Sequence, residues 1–176
     1  MIALRITNTK DFMTKLLTQE TFDTFLFSEG SVTTFTTFSI DGSWHPDFFG
    51  EQQEAGEQNP SQNPYQRQHQ SQQLTWRLLR PVVYDLIKGR HTPIQMRIVL
   101  KLADYNVEKL LKGSDLSIGK EQVDGLFLNL TYAKDEVTAI TGTSLKIFTL
   151  DKSLDRVWDD MVRLFFQMRK ISVKQT

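Results

Sequence analysis

Asp41, His45 and Asp47 fall within seven residues, in the run Ile-Asp-Gly-Ser-Trp-His-Pro-Asp. Two carboxylates and an imidazole so placed could ligate a metal or act as a general acid and base. The spacing matches no specific metal pattern, and an Asp-Gly turn running into a Pro-bounded loop accounts for the same residues. A second constellation is basic. Arg77, Arg80, Lys88 and Arg90 accompany Trp76 and Tyr84, and guanidinium groups beside aromatic rings suit phosphate contact and base stacking. Arg77 and Arg80, three apart, share one face of a helix. Lys109 and Lys112 add two cations further on. Trp76 and Tyr84 serve equally well as core residues. His91, with Lys88 and Arg90, reads as a basic loop after a helix C-terminus, where the dipole favours positive charge. His69 reads as solvated. No residue is marked out as catalytic. The chain has no Gly-rich phosphate loop, no Gly-x-Ser-x-Gly and no His-Glu-x-x-His, so no cofactor is implied.

Charge is unevenly spread along a chain whose formal net charge is zero. From Leu74 to Lys112 there are eight basic and three acidic residues, a net +5, and the flanking stretches are acidic. Such a segment is either an anion-binding face or a solvated helix face. Cysteine is absent, which excludes disulfides, thiolate metal sites and a thiol nucleophile and fits a cytoplasmic setting. The start of the chain has no apolar stretch long enough for a signal peptide. No run approaches about 18 apolar residues, so no membrane span is expected.

Elements that could position these residues follow from periodicity. Ile2, Leu4 and Ile6 alternate as in a half-buried strand, and Asn8 or Thr9 can cap a short helix with Phe12 and Leu16 on its apolar face. Strands are expected over 21–28 and 31–41, with a turn at Glu29-Gly30 and a break near Thr36. Residues 51–73 contain nine Gln among 23 and two Asn-Pro steps. That composition cannot bury enough apolar surface to offset the entropy of ordering, so a mobile insertion is expected within a single domain, 1–176. A helix over 74–88 contains Pro81, which predicts a kink or a restart there. Its apolar side carries Leu79, Val82, Val83, Leu86 and Ile87. A strand follows over 94–102, then a helix through Val107, Leu110 and Leu111 ended by Gly113. Strands are expected over 126–132, 136–141 and 144–150. An amphipathic helix beginning at Ser153 carries Leu154, Val157, Trp158, Met161, Leu164, Phe165 and Met168.

Two passages match each other. Ser31-Val32-Thr33-Thr34-Phe35-Thr36 aligns with Glu136-Val137-Thr138-Ala139-Ile140-Thr141, and Ser39-Ile40 with Ser144-Leu145. Ile2, Leu4 and Ile6 fall on Met96, Ile98 and Leu100, and Lys15-Leu16-Leu17 on Lys109-Leu110-Leu111. Each copy reads as strand, helix, then a run of strands. This unit, and the stretch from Gly125 to Leu150 above all, resembles the repeat of the DNA sliding clamps. The resemblance implies a DNA-clamp-like α+β fold with a mainly antiparallel sheet from two strand-helix-strands repeats, plus a central helix and a C-terminal helix. It also implies helices that present cations to phosphate, but the matching helices offer only Lys10, Lys15, Lys109 and Lys112. Sliding-clamp chains carry two or three such domains, and this chain has room for one. The runs Phe38-Ser39-Ile40-Asp41-Gly42, Leu79-Arg80-Pro81, Asp85-Leu86-Ile87-Lys88-Gly89 and Thr143 to Leu154 are similar to those of an uncharacterised bacterial family with no assigned function.

Three functions remain open. The first is a non-enzymatic binding or scaffold protein that contacts nucleic acid through Arg77, Arg80, Lys88, Arg90, Lys109 and Lys112. The second is a protein-interaction module or homo-oligomer that works through the C-terminal helix or the Gln-rich segment. The third is an enzyme centred on Asp41, His45 and Asp47.

Overall fold

The computed structural model describes residues 1–45, 48 and 73–175. Among them run β1 (Ala3–Ile6), α1 (Thr9–Leu17), β2 (Leu26–Thr33), β3 (Thr37–Asp41), α2 (Trp76–Ile87) and β4 (Gln95–Lys101). Then follow α3 (Asp104–Lys112), β5 (Val123–Ala133), β6 (Glu136–Leu145), α4 (Ser153–Met168) and β7 (Val173–Gln175). The strands form one sheet in the order β3-β2-β4-β5-β6-β1-β7. Every pairing in it is antiparallel, so the chain is α+β.

The sheet alternates as a one-sided sheet must. Leu4, Val32, Ile98, Leu128, Leu130, Val137 and Ala139 are buried on one face. The other face carries Arg97 paired to Glu29 at 2.9 Å and Arg5 paired to Glu136 at 3.3 Å. Helical residues complete the same apolar cluster: Phe12 and Leu16 from α1, Trp76 and Val83 from α2, Val107 from α3, Trp158 and Phe166 from α4. On α4 the buried residues Leu154, Trp158, Val162 and Phe166 recur every four positions, one stripe of the helix. Each such large side chain contributes about 2–3 kcal/mol by leaving water. Aromatic edges join α4 to α1, with Phe12 lying 6.4 Å from Phe166. The turn Glu20–Phe22 joins through Phe22, whose ring is 5.4 Å from that of Phe165.

Several expectations change. Glu29-Gly30 is not a turn but the middle of β2. Glycine is needed there because a Cβ would lie 2.8 Å from the Arg97 carbonyl and 3.0 Å from the Phe27 ring. The chain reverses at 34–36 instead, beside the expected break. Residues 20–22 form a 3-10 turn, so the first half of the 21–28 strand is absent. A separate strand over 144–150 does not form, because β6 continues unbroken to Leu145 and the chain then leaves the sheet. The terminal strand β7 was not foreseen. Pro81 sits inside a helix that runs on to Ile87, at the cost of the hydrogen bond to the Arg77 carbonyl. Val82, Leu164 and Met168, placed by periodicity on apolar faces, are exposed.

The duplication survives in element order only. Both halves read strand, helix, 3-10 turn and hairpin, with the second turn at Lys120–Gln122. The partners differ: β4 pairs with β5, whereas β1 pairs with β6 and β7 and not with β2. The match of 31–36 with 136–141 also fails as a structural equivalence. It sets the end of one hairpin's first strand against the second strand of the other.

Of the Gln-rich segment only Gln73 is described. It bridges to Ser43, and the Leu74 amide donates to the Gly42 carbonyl at 2.9 Å. Ser43 and Gln73 therefore lie side by side. The mobility expected for 51–72 lies outside the described residues.

Candidate functional site

The basic residues on and after α2 fall into separate settings. Arg80 is bound through two nitrogens to Asp23, Nε to Oδ1 at 3.0 Å and the terminal nitrogen to Oδ2 at 2.9 Å. Both side chains are nearly buried, 16% and 10% exposed, so this guanidinium holds α2 to the turn before β2. Trp76 is core: its ring stacks on Phe27 at 5.9 Å, and its Nε1 donates to the Leu16 carbonyl at 2.8 Å. That bond sets the start of α2 beside the end of α1. Arg77 points to solvent. On α3, Lys109 lies 5.1 Å from the centre of the Tyr105 ring and Lys112 is exposed.

Lys88 and Arg90 have a different setting. They line a groove of about 610 Å3 between α1 and the end of α2. Lys10 comes from the opposite wall and His91 from the loop that leads to β4. Apolar surface is supplied by Met13 and Leu17 of α1 and by Tyr84 and Ile87 of α2. The α2 wall ends at Lys88, after which Gly89 takes a φ of +152°, open to glycine alone without strain. Lys88 pairs with Asp85 at 2.9 Å on the solvent side, and that hydrogen bond holds its ammonium above the usual lysine range.

A chain of hydrogen bonds fixes the floor. The Tyr132 hydroxyl donates to Asp135 Oδ1 at 2.8 Å, and Thr9 Oγ1 donates to the Asp135 carbonyl at 3.0 Å. Thr92, from the other wall, adds a weaker interaction with the Tyr132 side chain. Burial first, and then the bond to Asp135, push the Tyr132 phenol up, so it remains a donor. Lys134 and Asp135 both have left-handed backbones, at φ 51° and 62°, a conformation unfavourable for residues with a Cβ. Tyr132 and Thr9 hold Asp135 in it. The groove thus brings Lys10, Lys88 and Arg90 to one surface, with the Asp135 carboxylate in its lining and the Asp85 carboxylate paired to Lys88. Its volume and largely apolar lining are those of a small-ligand site.

Of the acid–base candidates, Asp41 and His45 are described. Asp41 ends β3, and its carboxylate accepts from the Ser43 amide. That bond, with the Ser43 hydroxyl and then His45, holds the carboxyl below its usual range. Asp47 lies outside the described residues, as does His69. Among the described residues no group of three His, Asp or Glu side chains could hold a metal. A second, smaller cavity of about 210 Å3 lies beside α4, lined by Leu116, Ile118, Leu145 and Leu154.

Sequence reasoning named Lys88 and Arg90 but gave them Arg80 as a companion. It grouped His91 with them as a basic loop and left Tyr84 between base stacking and the core, but it did not join Lys10 to them. Local spacing carries no signal for this, because α1 and the loop after α2 are distant in sequence and meet only across the fold.

A family model described as "Family of unknown function (DUF5721)" matches residues 15–174. The runs at 38–42, 79–81, 85–89 and 143–154 all lie within that span. No curated protein and no solved structure matches the chain.

Proposed function

Since the chain belongs to this family of unknown function, we propose from its own geometry that it is a non-enzymatic binding protein that holds nucleic acid at the groove between α1 and α2. The observation that carries this reading is the convergence of Lys10, Lys88 and Arg90 from separate segments on one concave surface. Cations fixed on a common surface release counterions when they meet phosphates, and that release is the main source of nucleic-acid affinity. Tyr84 on the groove wall adds a face on which a base can stack. Arg77 and Lys112 are auxiliary contacts outside the groove. Arg80, nearly buried and bound to Asp23, drops out of the contact set, as does Lys109, which lies on α3 outside the groove; Lys88 exchanges its exposed partner Asp85 for phosphate. A clamp-like scaffold role belongs to the same proposal, supported by the recurring order of strand, helix and hairpin.

Fluorescence anisotropy with labelled single- and double-stranded DNA over a salt series tests it. For single strands the logarithm of affinity should fall against that of salt with a slope of about −2, the value for three neutralised phosphates. Lys10→Ala/Arg90→Ala should flatten the slope, and Arg80→Ala should not. No binding at low salt removes the proposal.

A second reading is a protein-interaction role. It rests on exposed apolar side chains: Leu164 and Met168 one turn apart on α4, and Phe148 and Leu150 in the loop before it. Exposed apolar side chains grouped on a surface mark association sites, and the pair on α4 is the candidate here.

A further inference from the structure

We infer that the groove reads an end: it takes the terminal phosphate monoester of a nucleotide or of a single strand, rather than tracking a continuous backbone. This inference rests on the nucleic-acid reading above and goes further in naming which part of the ligand enters. The first ground is polarity along the groove. The hydrogen-bonded chain Thr9–Asp135–Tyr132 begins at the start of α1, and Thr92, in the loop before β4, lines the groove with it. Lys10 follows Thr9 directly, and Arg90 and His91 directly precede Thr92, so the cationic groups gather at the end of the groove that this chain closes. The opposite end, at Leu17 and Thr18 of α1, carries no charge. The two ends of α1 are about 12 Å apart at 1.5 Å per residue. A continuous strand needs cations along its whole track, whereas one cluster matches one concentrated charge.

The second ground is the wall. Tyr84 is 41% exposed on the groove side of α2, beyond the cationic end, and Met13 and Ile87 lie with it. A flat ring stacked there, with its phosphate among Lys10, Arg90 and His91, uses both parts of the groove. Size is the third ground, since about 610 Å3 is within the range of sites that enclose one small ligand. A terminal monoester carries more charge than an internal diester and accepts more hydrogen bonds, and charge-assisted bonds to Arg and Lys are the strong ones.

Anisotropy on the full chain, with single-stranded 12-mers labelled at the 3′ end and carrying either a 5′-phosphate or a 5′-hydroxyl, tests the inference. Titration calorimetry with adenosine monophosphate, adenosine and inorganic phosphate separates the sources. The phosphorylated strand should bind about tenfold more tightly, the worth of one or two added charge-assisted bonds. Adenosine monophosphate should compete with it, and adenosine should not. Lys10→Ala/Arg90→Ala should abolish the preference for the phosphorylated end. Tyr84→Ala, an exposed position, should weaken the nucleotide and leave inorganic phosphate unchanged. Equal affinity for the two strands overturns the end-reading while nucleic-acid binding itself stands. Failure of both strands to bind removes both proposals.

Discussion

Arg80 shows how a residue's type can mislead until its partner is known. A guanidinium in a basic stretch reads as a phosphate contact, yet here the edge formed by Nε and one terminal nitrogen is spent on Asp23. Removing one side of a nearly buried pair leaves the other charge without compensation. Arg80→Ala should therefore cost about 2–3 kcal/mol in urea unfolding and leave DNA affinity unchanged. Arg90→Ala, on an exposed loop, should do the reverse. Unchanged stability in Arg80→Ala would show that the pair contributes nothing. His91 and Tyr84 teach the same lesson in the other direction. The sequence left Tyr84 between core and base stacking and gave His91 a sufficient role beside a helix end; their place on the groove wall puts both beside Lys88 and Arg90.

At the scale of elements, the start of α4 depends on a carboxylate just before it. Asp151 Oδ1 accepts from the Ser153 amide at 2.8 Å and from its hydroxyl at 2.6 Å. These bonds, the hydroxyl first, hold the Asp151 carboxyl below its usual range. A lowered folded pKa contributes stability that is present above the unfolded value of about 3.9 and is lost as pH falls through the folded value. Thermal unfolding followed from pH 5 to pH 2.5 should show that loss, and Asp151→Asn should be less stable at pH 5 and flatter below pH 4. Identical pH profiles for the two proteins would refute this account. The elements also show where periodicity holds. Strands β4 and β5 and helices α1 and α4 stand where alternation and the 3.6-residue pattern set them, because each buries one face against the sheet. The strand over 144–150 failed because its apolar residues, Ile147, Phe148 and Leu150, find no strand partner and stay exposed.

For the molecule as a whole, the apolar residues left outside the core bear on assembly. Phe148 is 92% and Met168 72% exposed, more than packing within one chain explains. The interaction reading expects the native chain to sediment as a dimer at micromolar concentration, and Leu164→Glu/Met168→Glu to sediment as a monomer with an unchanged melting temperature. A native monomer over that range removes the reading. Among the described residues no helix is long and apolar enough to cross a membrane, in line with the expectation from hydropathy.

Sequence alone determined the α+β class and the main helices and strands, which depend on composition and on periods of two and 3.6 residues, local properties of the chain. Membership of an uncharacterised family was legible in the resemblance of particular runs. Tertiary structure decided the strand order, which separates β1 from β2 and denies the two halves equivalent positions. It also decided which cations are free. Arg80 is withdrawn by Asp23, and Lys10 is brought to Lys88 and Arg90, through contacts between segments far apart in the chain. No local pattern encodes such contacts, because they arise only when the helices pack together over the shared face of the sheet.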